Sequence, residues 1–380
     1  MTLNQLVLYN KKLQQLEKKE RLRILTKTKG IDFTSNDYLS LASSKRLNDC
    51  IIDALNRDVP IGAGGSRLLR GNHHEHETLE HEASVFFGSE KVLYFSSGYV
   101  ANIAVLSTLP QPQDIIFHDI LVHASAYAGM QSGKAKTIPI PHNNVNAFED
   151  AISQWRKRGG KGTPWIVVES LYSMDGDKAP LHDLLKLANQ YNGFLFIDEA
   201  HATGIYGANG YGFTEDLHRH ENVLVLHTCG KALGVSGALL GANKLLCNYI
   251  INYAKPFIYT TAPSPLEARI VREALKIVKE EPERREKLHD LISFTDRLFN
   301  NIFGFSSGSQ IQPIIIGKND YTIQIAQRMQ KEGFDVRAIR PPTVPIGTSR
   351  LRISITLNVN TEIIQFFVDQ LKQIMSEIIS

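Results

Sequence analysis

The chain has 380 residues, 43% hydrophobic and 21% charged, which is enough apolar material for a large core. Its 42 basic and 39 acidic residues leave a net charge of +3, spread along the chain, which argues against a nucleic-acid-binding surface. No apolar run approaches the roughly 20 residues that span a bilayer, the opening residues lack a signal-peptide core, and three scattered cysteines without a C-x-x-C pair point to reduced thiols in the cytoplasm.

Residues 3–25 carry leucines at helical spacing among lysines and glutamates, and predict an amphipathic helix. IDFTSNDYLSL then reads as a short strand followed by turn chemistry. GAGGSRLLRG (62–71) is a tight turn or a close backbone approach to a ligand or a neighbouring subunit, since it lacks the G-x-G-x-x-G spacing of a dinucleotide loop. GNHHEHETLEHE (71–82) is rich in histidine and glutamate but has no H-E-x-x-H spacing, so no metal is expected there.

From about residue 90, short apolar strands alternate with helices. Strand candidates are KVLYFSS (91–97), DIIFHD (114–119), KTIPIPH (136–142), WIVVES (165–170), FLFIDEA (194–200) and VLVLHT (223–228). This alternation predicts an α/β fold with a mostly parallel sheet covered by helices, and a ligand at the carboxyl ends of its strands. After residue 265 come a long charged helical region, then IQPIIIG, a helix near 320–332, a strand near DVRAI, RLRISIT and a closing helix. The expected organisation is an N-terminal helix and arm (1–45), a large domain (46–265) and a smaller α+β C-terminal domain (266–380).

Polar residues gather at the predicted strand ends. FLFIDEAHATG places Asp198, Glu199 and His201 there, VLVLHTCGKALG places Thr228 and Lys231, and SSGYVAN opens a helix at Gly98 and Tyr99. One such residue would cap a helix; three such ends together point to a ligand. A pyridoxal phosphate site requires an amine that can attack an aldehyde and a carboxylate to keep the ring nitrogen protonated. It also requires a donor to the ring phenolate and a phosphate cup at a helix start. Lys231, Asp198, His201 and Gly98–Tyr99 with Thr228 fit those needs in order. The Asp-Glu-Ala-His tetrapeptide also occurs in some helicases, but none of the four Gly-Lys pairs is followed by Ser or Thr, so their phosphate loop is absent. In RPPTVPIGTSRLRISIT, Arg350 and Arg352 share one face of an apparent strand, and an arginine fork there suits a substrate carboxylate.

SNDYLSL, GAGGSRLLRG, SSGYVAN, the Val-His-Ala-Ser around His123, ESLYSMDGD, IDEAHATG and HTCGKALG, in this order, resemble the α-oxoamine synthase family of fold-type-I pyridoxal-phosphate enzymes. The match runs from about residue 33 to 357. The resemblance implies an aminotransferase-like large domain with a smaller C-terminal one, and pyridoxal 5'-phosphate as cofactor. It implies that Lys231 carries the cofactor as a Schiff base and moves protons, and that Asp198 pairs with the ring nitrogen. His201 and Ser173 would bond the phenolate oxygen, His123 would stack on the ring, and Gly98, Tyr99 and Thr228 would hold the phosphate. Arg352 matches the arginine that binds the amino-acid carboxylate; Arg21, Arg340 and Thr343 match other substrate contacts, with Arg23 a neighbouring candidate for Arg21. Thr260, in YTTAPSP, matches a residue that reaches the neighbouring subunit's phosphate, because family sites form at a homodimer interface. AIRPPTVPIGTSRLR is similar to the members that condense L-alanine with pimeloyl-CoA or pimeloyl-carrier protein, while sister synthases that use glycine or serine share the cofactor residues.

Overall fold

The computed structural model describes residues 4–379. The chain packs as two compact units. The larger comprises Asn36–Ser173 and Asp177–Leu288; the smaller comprises the described residues up to Ser35, Met174–Gly176, and the chain from His289.

The larger unit is built on a seven-stranded sheet. Its strands are β1 (Lys91–Phe95), β2 (Ile115–Asp119), β3 (Lys136–Ile140), β4 (Pro164–Glu169), β5 (Phe194–Asp198), β6 (Val223–Thr228) and β7 (Ala238–Ala242). They lie side by side in the order β1-β7-β6-β5-β4-β2-β3. β7 runs antiparallel to both its neighbours, while the contacts among β2 to β6 are parallel. Six of these strands are the six expected from the sequence. β7 was not anticipated: ALLGA has no β-branched residue and no polar alternation, and it is a strand because it is buried between two others.

Successive residues of a strand point to opposite faces, and here both faces are covered. Ile166, Val168, Leu195, Ile197, Val223 and Val225 pack into one apolar core. Trp165, Val167, Phe196, Leu224 and Leu226 pack into the other. That is why these strands read as nearly continuous apolar runs that turn polar only at their carboxyl ends.

The expected charged helical region is two helices, Pro265–Glu280 and Pro282–Phe303. The first belongs to the larger unit, rather than beginning a separate one at residue 266. Its Arg272, 11% exposed, donates to Glu82 at 2.8 and 2.7 Å and to Glu75, both on the helix His74–Phe87. Arg46, on the helix Lys45–Asn56, adds ion pairs to Glu273, Glu280 and Glu281.

The smaller unit holds an antiparallel sheet ordered Ala338–Ile339, Ser349–Ser354, Ile311–Gly317. Ile31–Asp32 pairs in parallel with Phe334–Asp335, and Phe33 stacks on Phe367 at 4.1 Å. The segment near DVRAI is thus two short strands in two different sheets. The amino-terminal helix spans Asn4–Lys18, shorter than expected; Glu20 has φ +54, which a helix cannot continue through, and residues 21–29 are irregular. Leu3 lies outside the described residues. No helix among them is long and apolar enough to cross a membrane. Cys50, Cys229 and Cys247 are buried free thiols.

Candidate active site

The carboxyl ends of β1, β2, β4, β5 and β6 converge on a cavity of about 150 Å³. Its walls include Gly98, Tyr99, His123, Asp198, His201, Thr228 and Lys231, which the sequence singled out, together with Asn102, Ser125 and Glu169.

Asp198 is the last residue of β5. Its Oδ1 accepts from the Ala200 N–H at 3.0 Å, and its Oδ2 accepts from Asn102 Nδ2 at 2.8 Å. The second Asn102 N–H donates to Ser125 Oγ at 2.9 Å. Both carboxylate oxygens are therefore held in place before any ligand arrives.

His201 sits three residues further on and is 5% exposed. Its Nε2 is 2.7 Å from Lys231 Nζ, and its Nδ1 is 2.7 Å from the hydroxyl of the fully buried Tyr38. Lys231 is brought there by the turn after β6. Gly234, with φ +67, lets that turn lie against Leu41–Ala42, where a Cβ would stand 2.4 Å from the Ala42 nitrogen. The motifs SNDYLSL and HTCGKALG are thus two sides of one backbone contact.

Glu169 ends β4, and the parallel register sets it directly beside Asp198. Burial, and then the charge of Asp198, push its pKa well above the usual carboxyl range. The neighbouring Glu199 is raised to about 8, mainly by burial. These shifts leave Asp198 beside two carboxyl groups that favour their neutral forms at neutral pH.

Ser97 caps the 11-residue helix Gly98–Thr108 by accepting from Val100 N at 3.2 Å. The first N–H groups of that helix, with Thr228 across from Gly98, form a small cradle. A Cβ on Gly98 would lie 3.5 Å from Thr228 Oγ1, an ordinary contact on the wall of this cradle. His123 caps the next helix, Ala124–Ser132, its Nδ1 accepting from Ser125 N at 3.2 Å. Desolvation lowers the His123 pKa, against the opposing pull of Asp198.

The remaining predicted residues lie elsewhere. Ser173 donates its N–H to Glu169 Oε2 at 3.1 Å but does not line the cavity. Thr260 is exposed beyond the helix Lys255–Ile258. In the smaller unit, Arg21, Arg23, Arg340 and Thr343 line one cleft of about 550 Å³, and Arg340 donates to the Glu20 carbonyl. The two arginines on the strand Ser349–Ser354 divide their work. Arg350 is tied to Asp175 Oδ1 at 2.6 Å and to the Met174 carbonyl at 3.1 Å, whereas Arg352 donates to Ser354 Oγ at 2.7 Å.

In the histidine-rich segment His74 and His81 are exposed, and two other histidines have structural contacts. His73 caps the helix His74–Phe87, and His76 is buried 2.8 Å from the Pro263 carbonyl oxygen. In the glycine-rich segment a Cβ on Gly71 would stand 2.1 Å from the Gly65 oxygen, so the close approach is between two parts of the turn itself.

Tyr38, Asn102 and Glu169 were not assigned from the sequence, although each lies in a motif quoted there. Glu169 carried a readable signal, an acidic residue ending a predicted strand. Asn102 stands four residues after Gly98, on the same helix face. Nothing local marks Tyr38, which reads as an ordinary core aromatic.

The model of the family described as aminotransferase class I and II matches residues 28–371. This chain belongs to that family. It is 38% identical over 365 residues to a putative 8-amino-7-oxononanoate synthase of Geobacillus kaustophilus, covering 94% of this chain and 92% of that one. The crystal structure of 8-amino-7-oxononanoate synthase from Francisella tularensis superposes with a TM-score of 0.78 at 27% identity, over 92% of this chain and 98% of that one. A serine palmitoyltransferase from S. paucimobilis, solved with a bound PLP–myriocin adduct, gives a TM-score of 0.88 at 23% identity, over 97% of both chains, and shares the fold.

The cavity's donor set suits pyridoxal phosphate. It contains one primary amine, a carboxylate held by two donors, an imidazole within reach of the amine, and a helix start facing a hydroxyl. The start of the helix Gly98–Thr108, with Thr228 facing Gly98, has the backbone N–H and hydroxyl groups that suit a phosphate.

Proposed function

We propose that this chain is a pyridoxal-phosphate-dependent 8-amino-7-oxononanoate synthase of biotin synthesis, a cytoplasmic homodimer that joins L-alanine to a pimeloyl thioester. The observation that carries the reading is the convergence of Asp198, His201 and Lys231 on one cavity beside the Gly98–Thr228 cradle. The relatives named above support the choice within the family.

Bound pyridoxal phosphate supplies an electron sink for the substrate's Cα. Asp198 holds a proton at the ring nitrogen. Its two internal donors keep it from turning away from that task. The N–H groups of Gly98 and Tyr99, with the Thr228 hydroxyl, bind the phosphate, and His123 covers the ring. His201 donates to the phenolate oxygen. Lys231 anchors the cofactor, then takes the Cα proton of L-alanine on Nζ. The overall reaction breaks that Cα–H bond and forms a bond from Cα to the thioester carbon, with release of the thiol. Alanine's carboxyl group then leaves as carbon dioxide, and Lys231 Nζ returns a proton to the same Cα. Arg352 is the proposed carboxylate contact, with Arg21, Arg340 and Thr343 as further proposed substrate contacts and Thr260 serving the site of a second copy.

The test pairs L-alanine, glycine and serine with pimeloyl-CoA, pimeloyl-carrier protein and acyl thioesters of other lengths. Turnover is expected with alanine and a pimeloyl thioester. Turnover confined to glycine or serine would assign a sister synthase instead. A colourless protein that fails to bind pyridoxal phosphate would refute the cofactor assignment.

A further inference from the structure

Asn102 stands between two groups of the cavity that come from different elements. It is 2% exposed, and Ser125 beside it is fully buried. A carboxylate only accepts, so the NH2 end of the Asn102 amide faces Asp198. One of its hydrogens goes to Asp198 Oδ2 at 2.8 Å and the other to Ser125 Oγ at 2.9 Å. Ser125 in turn meets His123 Nδ1 twice, through its backbone N–H at 3.2 Å and its hydroxyl at 2.7 Å. A backbone N–H can only donate, so Nδ1 presents its lone pair there. The hydroxyl is then a donor as well, and the proton of the neutral ring lies on Nε2. The row runs from Asp198 through Asn102 and Ser125 to His123.

We infer that Asn102 and Ser125 are positioning residues that join Asp198 and His123 into one hydrogen-bonded unit and keep His123 Nδ1 bare. The role rests on the proposed function, in which Asp198 holds a proton at the cofactor's ring nitrogen and His123 covers the ring. A proton added to Nδ1 would break both bonds from Ser125. It would also set a positive charge against the ring, weakening the hold on the ring-nitrogen proton. One amide thus orients the anion that pairs with the ring nitrogen and, through Ser125, disfavours a cation over the ring. Loss of solvation also lowers the His123 pKa; of the charges near it, Asp198 raises it and Lys231 lowers it. The cavity's other ionisable side chains, Tyr99, Glu169 and His201, are left unchanged by the substitutions that follow.

The test is a nitrogen NMR titration of the full chain, labelled at histidine and prepared free of cofactor. The His123 signals are assigned by their loss in His123→Gln. At about pH 8, where an imidazole is neutral, the native protein is expected to show a bare Nδ1 and a protonated Nε2. Ser125→Ala removes the hydroxyl and keeps the backbone N–H. It should leave the tautomer in place and raise the His123 pKa by about half to one pH unit, the equivalent of one hydrogen bond to the neutral ring. Asn102→Leu, of similar volume, and Asn102→Ala free the Ser125 hydroxyl to turn from Nδ1. Either should raise the pKa as well, but not when residue 125 is already alanine. A native ring protonated on Nδ1 would overturn the assignment, and so would an unchanged pKa in Ser125→Ala. A shift of equal size from the Asn102 variants with and without the Ser125 hydroxyl would also overturn it, since Asn102 would then act through the charge of Asp198 alone. In the loaded enzyme Ser125→Ala should lose activity at a higher pH than the native enzyme as acid is added; coinciding profiles would refute a part in turnover. Because His123 is titrated without cofactor, the hydrogen-bonded unit stands or falls separately from the reaction proposed above.

Discussion

Replacing Gly98 by alanine separates the phosphate cradle from the rest of the site. Gly98 is the first residue of its helix and does not have a positive φ, so alanine can adopt its backbone. The added Cβ would stand 3.5 Å from Thr228 Oγ1 and 3.7 Å from Thr228 Cβ, which is ordinary contact. The cofactor-free protein should therefore fold normally, and even gain up to about 1 kcal/mol from a less flexible unfolded chain. The methyl group would nevertheless occupy space between the helix N–H groups and the Thr228 hydroxyl. A phosphate oxygen pushed from there loses one or two hydrogen bonds to a charged group, each worth about 1.5–3 kcal/mol. Each lost bond corresponds to roughly a ten- to hundredfold fall in affinity. The assay is an absorbance titration of cofactor-free protein with pyridoxal phosphate and, in parallel, with pyridoxal. Gly98→Ala should weaken the first and spare the second. Unchanged affinity for pyridoxal phosphate, or an equal loss for both, would refute the cradle as the phosphate site.

Three further substitutions test the electrostatics. His142 lies between Asp119 at 3.0 Å and Asp177 at 2.7 Å; burial opposes its charge, but the two carboxylates raise its pKa to about 10. The folded state holds that proton more tightly than the unfolded one, so the stabilisation is complete below about pH 6.5 and is lost as pH rises through 10. Denaturant unfolding of His142→Gln should be destabilised at neutral pH and should lack this alkaline slope; an unaltered slope argues that His142 is uncharged. Glu199 is raised to about 8 by burial, so its contribution is present below 4.5 and is lost as pH rises through 8. Relative to Glu199→Gln, the native protein should lose about 1.4 kcal/mol per pH unit across that window, and parallel curves would show that Glu199 ionises normally. Arg272→Met should cost about 3 kcal/mol in urea unfolding, the low end for a broken buried pair, since Glu82 is partly exposed; a loss under about 1 kcal/mol would mean that apolar packing alone holds the helix Pro265–Glu280.

Much of this protein was legible along the chain because the signals are local. A buried parallel strand needs an apolar run of five or six residues, and the run can turn polar only where the strand leaves the core. Asp198, Thr228 and Lys231 could therefore be placed from a few neighbouring residues each, and the mostly parallel sheet followed from their alternation with helices. The limits of the first helix and the strand β7 were not legible. One depends on the backbone turning at Glu20, the other on burial between two strands remote in sequence.

What the tertiary structure alone decided is which polar groups meet. The pairing of Glu169 with Asp198 follows from strand register. The hydrogen bond from Asn102 to Asp198 spans 96 residues and that between Tyr38 and His201 spans 163. On the strand Ser349–Ser354, alternation put Arg350 and Arg352 on one face, yet only their surroundings assigned one to Asp175 and the other to Ser354. Periodicity says which face a side chain takes. Its partner across a gap of 3 Å depends on elements whose order, direction and register are settled only when the whole core closes.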